Sequence, residues 1–573
     1  MIRFIFLCLS LVSLASAQET LFRIVADTKT DTHVEATALF SKPSLGGYHP
    51  VRVFIANNQQ IPHTITLNFK DSTNYNEGIS TSSTFSFLAP PNRSITTDIL
   101  VPLAPQNGTV NYHNLQTNLS GTMGSTQNTS ASPFTADHPA VLLSGALYAP
   151  NGSALDSELA SLGGSRSGGS PQFSATFDPK QLPDDWRAFS GFDTIMLTDS
   201  DWSEVPPGPR NAIISWLRLG GHLVVYSSTK PSHASLGIPD DQSFGQTSFE
   251  SIGTDLKLDP KSTVNLAISR RASKTRLQSV TNDFKSHWPL QDAFGEKSFN
   301  YILFIIILLA FGILVGPVNL FVFAKSGKRH RLFVTTPIIS LGTSLILIAL
   351  IILQDGFGGD GTRLVLMEVR PDGNQNAAFI QQEQFSRTGV MTSPSFTVNA
   401  SALMVPVPIT SSRWSRFTDG YDTTGSYNIQ PTDGKLFASG GWFQSRSEQG
   451  QLITAVVPTR GRIEATPQAD ILISSFDFPI KTLLYKDPSG QWHRADNIMK
   501  GQKIKLSAID PTMVLTLLNK NRNQFTERNR TFLHSIEDRN DHYIAFTDSA
   551  PAIETHPGIA WKTSTVITGP IAR

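Results

Sequence analysis

Two long uncharged stretches stand out in the hydrophobic pattern of the chain. Residues 298–324 and 332–354 contain no Asp, Glu, Lys or Arg. A helix needs about 20 apolar residues to cross a hydrocarbon core of roughly 30 Å, and both stretches reach that length. The pattern therefore predicts a two-helix transmembrane hairpin, with helices at 299–324 and 332–354 and a short loop at 325–331.

The loop between these stretches is basic. It carries Lys325, Lys328, Arg329 and Arg331, and it contains no acidic residue. Lys and Arg in a short loop mark the cytoplasmic side of a membrane. We therefore expect both large flanking regions to lie on the extracytoplasmic, periplasmic side of a bacterial inner (cytoplasmic) membrane.

Small and polar residues interrupt the first stretch. Gly312 and Gly316 are spaced for close helix approach, and Pro317 removes a backbone donor and is expected to kink the helix. Asn319 needs a hydrogen-bond partner in lipid, which the second stretch can supply. Packing within the hairpin and packing between two copies are both compatible with these residues. The candidate partners of the asparagine are Thr335, Thr336, Ser340, Thr343 and Ser344.

The first 17 residues have the pattern of a secretory signal peptide. Arg3 precedes an apolar run at residues 4–14, and Ala-Ser-Ala at 15–17 suits a cleavage site. Cys8, the single cysteine of the chain, lies within this segment. The exported chain is therefore expected to form no disulfide and no thiolate site, which fits a bacterial envelope protein.

Residues 18–135 alternate between apolar and polar positions with a period of two, which is typical of half-buried strands. The clearest runs are 51–56 and 64–69, and the polar residues 57–60 between them predict a hairpin loop. Short strands at regular spacing predict an N-terminal β-sandwich.

The period changes in residues 136–290. Short apolar runs at 140–144, 172–177, 193–197 and 222–226 predict strands. One helix is expected to begin at Ser153, with Leu155, Leu159 and Leu162 on one face, and another at Pro209. Strands that alternate with helices predict a doubly wound α/β domain with a parallel sheet.

A group of acidic residues follows the third of these strands. Asp199, Ser200, Asp201 and Glu204 are predicted to lie on a loop at the carboxyl edge of the sheet, where α/β domains bind ligands. Carboxylates this close together suit a cation or acid–base chemistry. Asp and Ser side chains also cap turns, and that structural role remains the alternative.

The same domain resembles the class I glutamine amidotransferase-like fold, through residues 182–186, 192–197 and 219–225. Residues 316–319 (Gly-Pro-Val-Asn) and the basic loop after them are similar to uncharacterised bacterial membrane proteins that carry such a domain outside the membrane. The resemblance covers about residues 140–370. The family uses a Cys nucleophile with His and Glu, whereas this chain has Thr-Asp-Ser at 198–200 and Leu223 after His222. The resemblance therefore implies a catalytically degenerate domain.

The last region, residues 362–573, is predicted to be β-rich, as one or two sandwich-type domains, with part of 510–530 helical. Its histidines lack metal-ligand spacing. Six aromatic residues offer either a sugar-binding platform or ordinary core packing. They are Trp414, Phe417, Tyr421, Tyr427, Trp442 and Phe443.

Composition narrows the function further. The 573 residues are 16% charged with a net charge of +1, so nothing favours nucleic acid as a partner. No segment brings together a nucleophile, a base and an orienting group, and no cofactor or metal is expected. We predict a non-catalytic envelope scaffold or binding protein, with the lipid bilayer and other envelope or membrane proteins as partners. A hydrolase that uses residues 199–204 and a carbohydrate-binding protein are the alternatives.

Overall fold

The chain divides into two units, residues 1–282 and 283–573. The predicted signal peptide lies outside the part of the chain that the structure describes. The computed structural model describes residues 19–42, 47–73, 79–104, 113–130, 139–162, 172–229, 231–239, 244–271, 288–295, 297–298, 301–372, 375–391, 393–407, 409, 414–415, 425–432, 434–441, 443–468 and 471–573.

The first unit begins with two antiparallel sheets that share one hydrophobic core. One sheet has the order β1-β2-β3-β6, and strands β5-β4-β7-β8 are neighbours in the other. Val34 and Val53 of the first sheet belong to the same buried cluster as Leu67 and Leu119 of the second, as a sandwich requires. The strands are β1 (Glu19–Asp27), β2 (Thr32–Ala38), β3 (Tyr48–Asn57), β4 (His63–Thr73), β5 (Ile79–Ala89), β6 (Arg93–Pro102), β7 (His113–Gly121) and β8 (Thr126–Ser130).

The predicted hairpin between β3 and β4 is wrong. Strand β3 pairs with β2 and β6, whereas β4 pairs with β5 and β7, so the connection crosses from one sheet to the other. The Asn57 side chain holds this crossing, because its Nδ2 donates to the carbonyl oxygens of Ile61, Ala89 and Pro90 at 2.9–3.0 Å. Alternation locates both strands, but it carries no information about their partners.

The second part of this unit is the predicted parallel sheet, with the order β10-β9-β11-β12-β13. Val141, Met196 and Val224 lie in one core with Leu155 and Val264 of two helices. The alternate residues of the same strands, which point to the opposite face, are buried as well. The elements are β9 (Val141–Ser144), α1 (Gly145–Leu162), β10 (Ser174–Phe177), β11 (Thr194–Thr198), α2 (Asp199–Glu204), α3 (Pro207–Arg218), β12 (His222–Ser227), α4 (His233–Leu236), β13 (Gln246–Ser251) and α5 (Pro260–Arg271).

Two helix starts differ from the prediction. Helix α1 begins at Gly145, directly after β9, so Ser153 is an exposed residue within the helix and not its cap. Leu155 and Leu159 are buried as predicted, but Leu162 is 53% exposed. Helix α3 begins at Pro207, two residues before the predicted start.

An aromatic contact joins the sandwich to the parallel sheet domain. The ring of Phe40, which follows β2, lies 5.8 Å from that of Phe189 and 5.4 Å from that of Phe192. Trp216 of α3 packs on Phe189 at 6.4 Å. The backbone N–H of Tyr48 also donates to Ser190 Oγ across this buried contact. The sandwich and the sheet domain therefore share one apolar interface.

The second unit contains two helices that are long and apolar enough to cross a membrane, Tyr301–Phe323 and Arg329–Asp355. Neither is buried within the protein, unlike the core helices of a globular domain. The helical elements are α6 (Pro289–Phe294), α7 (Tyr301–Ile313), a π-helix at Leu314–Phe323, a 3₁₀ turn at Arg329–Arg331 and α8 (Leu332–Asp355).

The rest of the second unit is built on a nine-stranded sheet with the order β18-β22-β16-β15-β30-β29-β25-β26-β28. Its strands are antiparallel, except that β15 and β30 run parallel. The elements are β14 (Lys297–Ser298), β15 (Gly359–Asp372), β16 (Gln375–Thr388), β17 (Phe396–Asn399), β18 (Ala402–Val407), β19 (Trp414–Ser415), β20 (Gly425–Thr432), β21 (Lys435–Ser439), β22 (Glu448–Thr459), β23 (Ile463–Ala465), β24 (Ile471–Ser474), β25 (Ile480–Lys486), β26 (Trp492–Ile498), β27 (Lys503–Lys505), β28 (Ser507–Ala508), α9 (Pro511–Arg522), α10 (Glu527–Glu537), β29 (His542–Thr547) and β30 (Ile559–Pro570).

The main sheet of the C-terminal region has a parallel pair of strands, which the predicted sandwich-type architecture did not include. The parallel pair β15 and β30 joins residues far apart in sequence, and α9 and α10 lie within the long connection between them. Helix α10 packs its apolar side inward through the buried Phe532, Leu533 and Ile536. The region is therefore β-rich with two helices, and α9 lies within residues 510–530, where part of the chain was predicted to be helical.

We expect Phe40→Ala to destabilise the first unit by about 3–5 kcal/mol, because it leaves a cavity in the aromatic interface. The variant should show a lower midpoint for the thermal unfolding followed by tryptophan fluorescence. Leu88→Ala, at a site that is 63% exposed, is the control and should leave the midpoint unchanged. Equal midpoints for wild type and Phe40→Ala would mean that this interface contributes little to stability.

Candidate functional site

The carboxyl edge of the parallel sheet is the candidate site suggested by topology. The chain leaves β9 toward β10 on one side, and β11 lies on the other side of β9. The strand order therefore reverses between β9 and β11, and ligands of open α/β sheets bind at such a point. Ser144 ends β9, Thr198 ends β11 and Ser227 ends β12. The predicted residues Asp199 and Asp201 follow directly at this edge.

The predicted loop after β11 is in fact helix α2, and Asp201 serves its N-terminus. Asp201 N–H donates to Thr198 Oγ1 and Thr198 N–H donates to Asp201 Oδ2, both at 3.0 Å, which is a capping box. Ser144 Oγ also donates to Asp201 Oδ2 at 2.6 Å. Asp201 is 8% exposed and Ser144 is fully buried, so this carboxylate ties α2 to the end of β9.

The other candidate side chains do not converge on Asp201. The carboxylate of Asp199 accepts from Ser227 Oγ at 2.5 Å and from the N–H of Ser200 at 2.8 Å. Ser200 and Glu204 are exposed, and Glu204 lies 3.5 Å from Lys180 Nζ. Within the described ranges, no three His, Cys, Asp or Glu side chains are grouped to hold a metal ion. The four candidates therefore form no single reactive centre.

The histidine that the amidotransferase resemblance drew attention to is far from this edge. His222 is the first residue of β12 and Ser227 is the last. At about 3.3 Å per residue, they lie about 17 Å apart along the strand. The ring Nε2 of His222 is 2.9 Å from Ser248 Oγ on β13. A dyad between His222 and the residues after β11 is therefore not formed.

Ser144 is the residue at this edge that the sequence interpretation missed. Its position could have identified it, because Ser144 is the last residue of β9 and directly precedes α1. Its hydroxyl donates to Asp201 and it also accepts from Leu147 N–H at 3.4 Å. A serine whose hydroxyl proton is held by a buried carboxylate is placed for structure, since no imidazole base lies beside it within the described residues.

In the apolar hairpin, Asn319 has the contacts that the sequence predicted for it. The fully buried side chain donates from Nδ2 to Thr336 Oγ1 at 2.9 Å, and Thr335 Oγ1 donates to Asn319 Oδ1 at 2.6 Å. Pro317 lies within the π-helical stretch Leu314–Phe323, whose wider hydrogen-bond pattern accommodates its missing backbone donor. The amide therefore links the two helices.

The two glycines and the basic residues that the sequence singled out in the hairpin are exposed. A Cβ added at Gly312 or Gly316 would meet no atom within 4 Å, so the structure does not use these glycines for close approach within the hairpin. The side chains of the basic loop are also exposed. They are Lys325, Lys328, Arg329 and Arg331.

Two members of the predicted aromatic platform are core residues. Tyr427 is 2% exposed and its hydroxyl donates to the Met404 carbonyl at 2.7 Å. Phe443 is fully buried and stacks on His556 with ring centroids 5.2 Å apart. Neither ring offers a face to a sugar. Phe417, Tyr421, Trp442 and the side chain of Trp414 lie outside the described part of the chain.

Comparison with known proteins assigns no family. No family model matches the chain, and no curated protein matches it. Among solved structures, a Paenibacillus sp. cycloisomaltooligosaccharide glucanotransferase matches 33% of this chain and 27% of its own, at 10% identity and a TM-score of 0.16. A Bacteroides uniformis beta-glucuronidase 2 mutant matches 84% and 79%, at 9% identity and a TM-score of 0.13. Scores this low show no shared fold.

We expect Asp201→Ala to lower the unfolding free energy of the first unit by about 1–3 kcal/mol, because it removes a helix cap and leaves two buried donors without their acceptor. Thermal unfolding and the rate of proteolysis near α2 measure the change. Glu204→Ala is the matched control at an exposed carboxylate of the same helix. A stable Asp201→Ala protein that has lost a cellular function would instead favour the hydrolase hypothesis.

We expect Asn319→Leu to weaken the hairpin by about 1 kcal/mol, because an interhelical hydrogen-bond pair is lost from an apolar environment. Hydrogen exchange of the backbone amides in the two helices should then be faster. Phe321→Ala, at a position that is 72% exposed, removes bulk without touching the pair and is the control. Unchanged exchange in Asn319→Leu would show that the pair does not hold the helices together.

Proposed function

We propose that this protein is a membrane-anchored, non-catalytic envelope component that acts as a scaffold or binding subunit of a larger membrane assembly. The observation that carries the proposal is the pair of long apolar helices, neither of which is buried by the rest of the chain. Apolar surface of this extent is stable only against lipid or other membrane helices. The lipid bilayer is thus the first partner, and other membrane proteins are the second.

The sheet edge supports a non-catalytic role. Its best placed carboxylate, Asp201, is engaged by Ser144 and by the backbone of Thr198. A general base must also be within reach of a substrate, and Asp201 is only 8% exposed, with two donors on its Oδ2. We therefore propose that residues 136–290 are a catalytically degenerate, amidotransferase-like domain that was retained as an architectural module.

The placement in the cell follows from charge. The loop at 325–331 is basic and exposed, while Asp355 and Asp360 lie on the far side of α8. With the basic loop in the cytoplasm, both large regions lie on the periplasmic side of a bacterial inner membrane, and the segment at 1–17 acts as the export signal.

The two alternatives have less support. A hydrolase at Asp199–Glu204 requires side chains that converge, and Ser200 and Glu204 instead point to solvent. A carbohydrate platform loses Tyr427 and Phe443 to the core. Crosslinking in intact membranes, followed by purification and mass spectrometry, tests the scaffold proposal. Reproducible co-purification of membrane proteins supports it, and recovery of the protein alone under every crosslinking condition counts against it.

Topology gives a direct prediction, because the mature chain is proposed to lack thiols. Single cysteines at exposed positions, as Ala160→Cys, Ser326→Cys and Lys500→Cys, are labelled in spheroplasts with a membrane-impermeant maleimide. We expect labelling at positions 160 and 500 in intact cells, and at 326 only after permeabilisation. Labelling of position 326 in intact spheroplasts would place the loop outside and overturn the proposed orientation.

A further inference from the structure

The second unit contains an open cavity of about 780 Å³ on one face of its nine-stranded sheet. A volume of this size matches the pockets that proteins use for small molecules. The floor is apolar and comes from three adjacent strands, through Met367 of β15, Ala378 and Ile380 of β16, and Val457 of β22. The strand register places Met367 opposite Ile380 and Ala378 opposite Val457, so all four side chains share one face.

Buried polar groups hold one wall of the cavity in place. Gln382 is two residues beyond Ile380 on the same face of β16, and its amide bonds the backbone of Ile553 in both directions. Its Nε2 donates to Ile553 O at 3.0 Å, and Ile553 N–H donates to its Oε1 at 2.9 Å. Gln382 is fully buried, so this clamp fixes the segment at 551–554, which lines the cavity.

A bidentate ion pair reinforces the same wall. Arg363 Nη1 and Nη2 donate to the two carboxylate oxygens of Glu554 at 3.0 and 2.9 Å. The guanidinium of Arg363 also lies 4.4 Å from the ring centre of Trp561. The charge of Glu554 is thus balanced by that of Arg363, although the Glu554 side chain itself is 77% exposed.

Another part of the cavity lining is aromatic. Phe476 and Phe478 pack on each other with ring centroids 5.2 Å apart, and Phe476 also contacts Tyr543 at 6.5 Å. Gly461 allows this packing, because a Cβ there would come within 2.4 Å of Phe476. The cavity is thus lined by an apolar floor and a fixed aromatic wall.

The remaining charges at the cavity have no ion-pair partner among the residues that the structure describes. Lys435 and Arg460 line it as exposed cations, and Asp477 lines it as an exposed acid. No ion pair joins any of these three side chains to another described residue. With Glu554 neutralised, the described lining residues leave an excess of one positive charge beside an apolar surface.

We propose that this cavity binds a small amphipathic anion, with its apolar body on the floor and its anionic group at Lys435 and Arg460. A neutral sugar would find few fixed polar partners here, and a cation would be repelled by the excess charge. The inference concerns a ligand site in the second unit and does not depend on the scaffold proposal or on membrane orientation.

Three probes with one aromatic body test the charge preference: 2-naphthyl phosphate, 2-naphthol and 2-naphthylmethyl-trimethylammonium. Binding to the full-length protein in nanodiscs of zwitterionic lipid is measured by isothermal titration calorimetry and by saturation-transfer difference NMR. Empty nanodiscs correct for partition into lipid. We expect the phosphate to bind more tightly than the alcohol, and the ammonium compound not to bind at all.

Variants separate the two halves of the site. Lys435→Ala/Arg460→Ala should weaken phosphate binding about tenfold and leave naphthol binding unchanged, because only the charged contact is lost. Lys500→Ala/Lys503→Ala removes two exposed cations outside the cavity and is the charge-matched control. Thr397→Trp, at the exposed rim, should block both probes, and Ala378→Phe fills the floor from inside.

The outcomes decide the proposal. Loss of phosphate binding in the cavity variants, with retention in the lysine control, supports it. Equal binding of phosphate and ammonium probes, equal loss in both double variants, or binding that survives Thr397→Trp overturns it. Thermal unfolding of each variant establishes that it is folded, and Thr397→Trp keeps the test available if Ala378→Phe fails to fold.

Discussion

A buried polar side chain needs a hydrogen-bond partner, and this constraint governs the described parts of both units. In the first unit, the Asp201 carboxylate joins α2 to the end of β9. In the apolar hairpin, Asn319 joins the two helices through Thr335 and Thr336. In both cases one polar side chain fixes the position of one element against another. Apolar contacts alone are not directional and would not fix that position.

The nine-stranded sheet shows the same principle at its centre. Glu383 of β16 is fully buried, and burial raises the pKa of its carboxyl, whereas hydrogen bonds from Thr526, Asn529 and Trp288 lower it. Thr526 is the N-cap of α10, and Thr526 Oγ1 and Asn529 Nδ2 each donate to Glu383 Oε1 at 2.5 Å. The carboxylate thus seats the positive end of the helix on the sheet.

The hydrophobic pattern of the sequence predicted those helices and strands whose formation depends mainly on neighbouring residues. The two hairpin helices follow from length and apolarity, and the strands of the parallel sheet follow from short apolar runs between helices. Pairing could not be predicted in this way, because the partner of β3 and the parallel contact of β15 with β30 depend on distant residues. The buried run at 381–384, Gln-Gln-Glu-Gln, has the composition of a solvated segment, and only its tertiary partners make it part of the core.

The four residues predicted to form a site do not converge, and the reason is again the three-dimensional structure between them. Asp199, Ser200, Asp201 and Glu204 are close in sequence, which suggested a shared centre, but a helix turns successive side chains about 100° apart. Once α2 forms, Asp201 points inward to cap its own helix while Ser200 and Glu204 are exposed. Sequence proximity therefore indicates a common site only when the backbone conformation turns the side chains toward the same side.

A ligand-binding site is therefore expected where polar or charged side chains are not already bonded to other groups of the protein. At the carboxyl edge of the parallel sheet, Ser144, Thr198 and Asp201 use their hydrogen bonds internally, so a ligand there would have to break them. At the cavity of the second unit, buried Gln382 and Arg363 hold the wall, while the free charges stand outside that network. The cavity wall is held in place by buried groups, while Lys435 and Arg460 have no described ion-pair partner. Such a site is preorganised for binding, because a ligand there displaces only water.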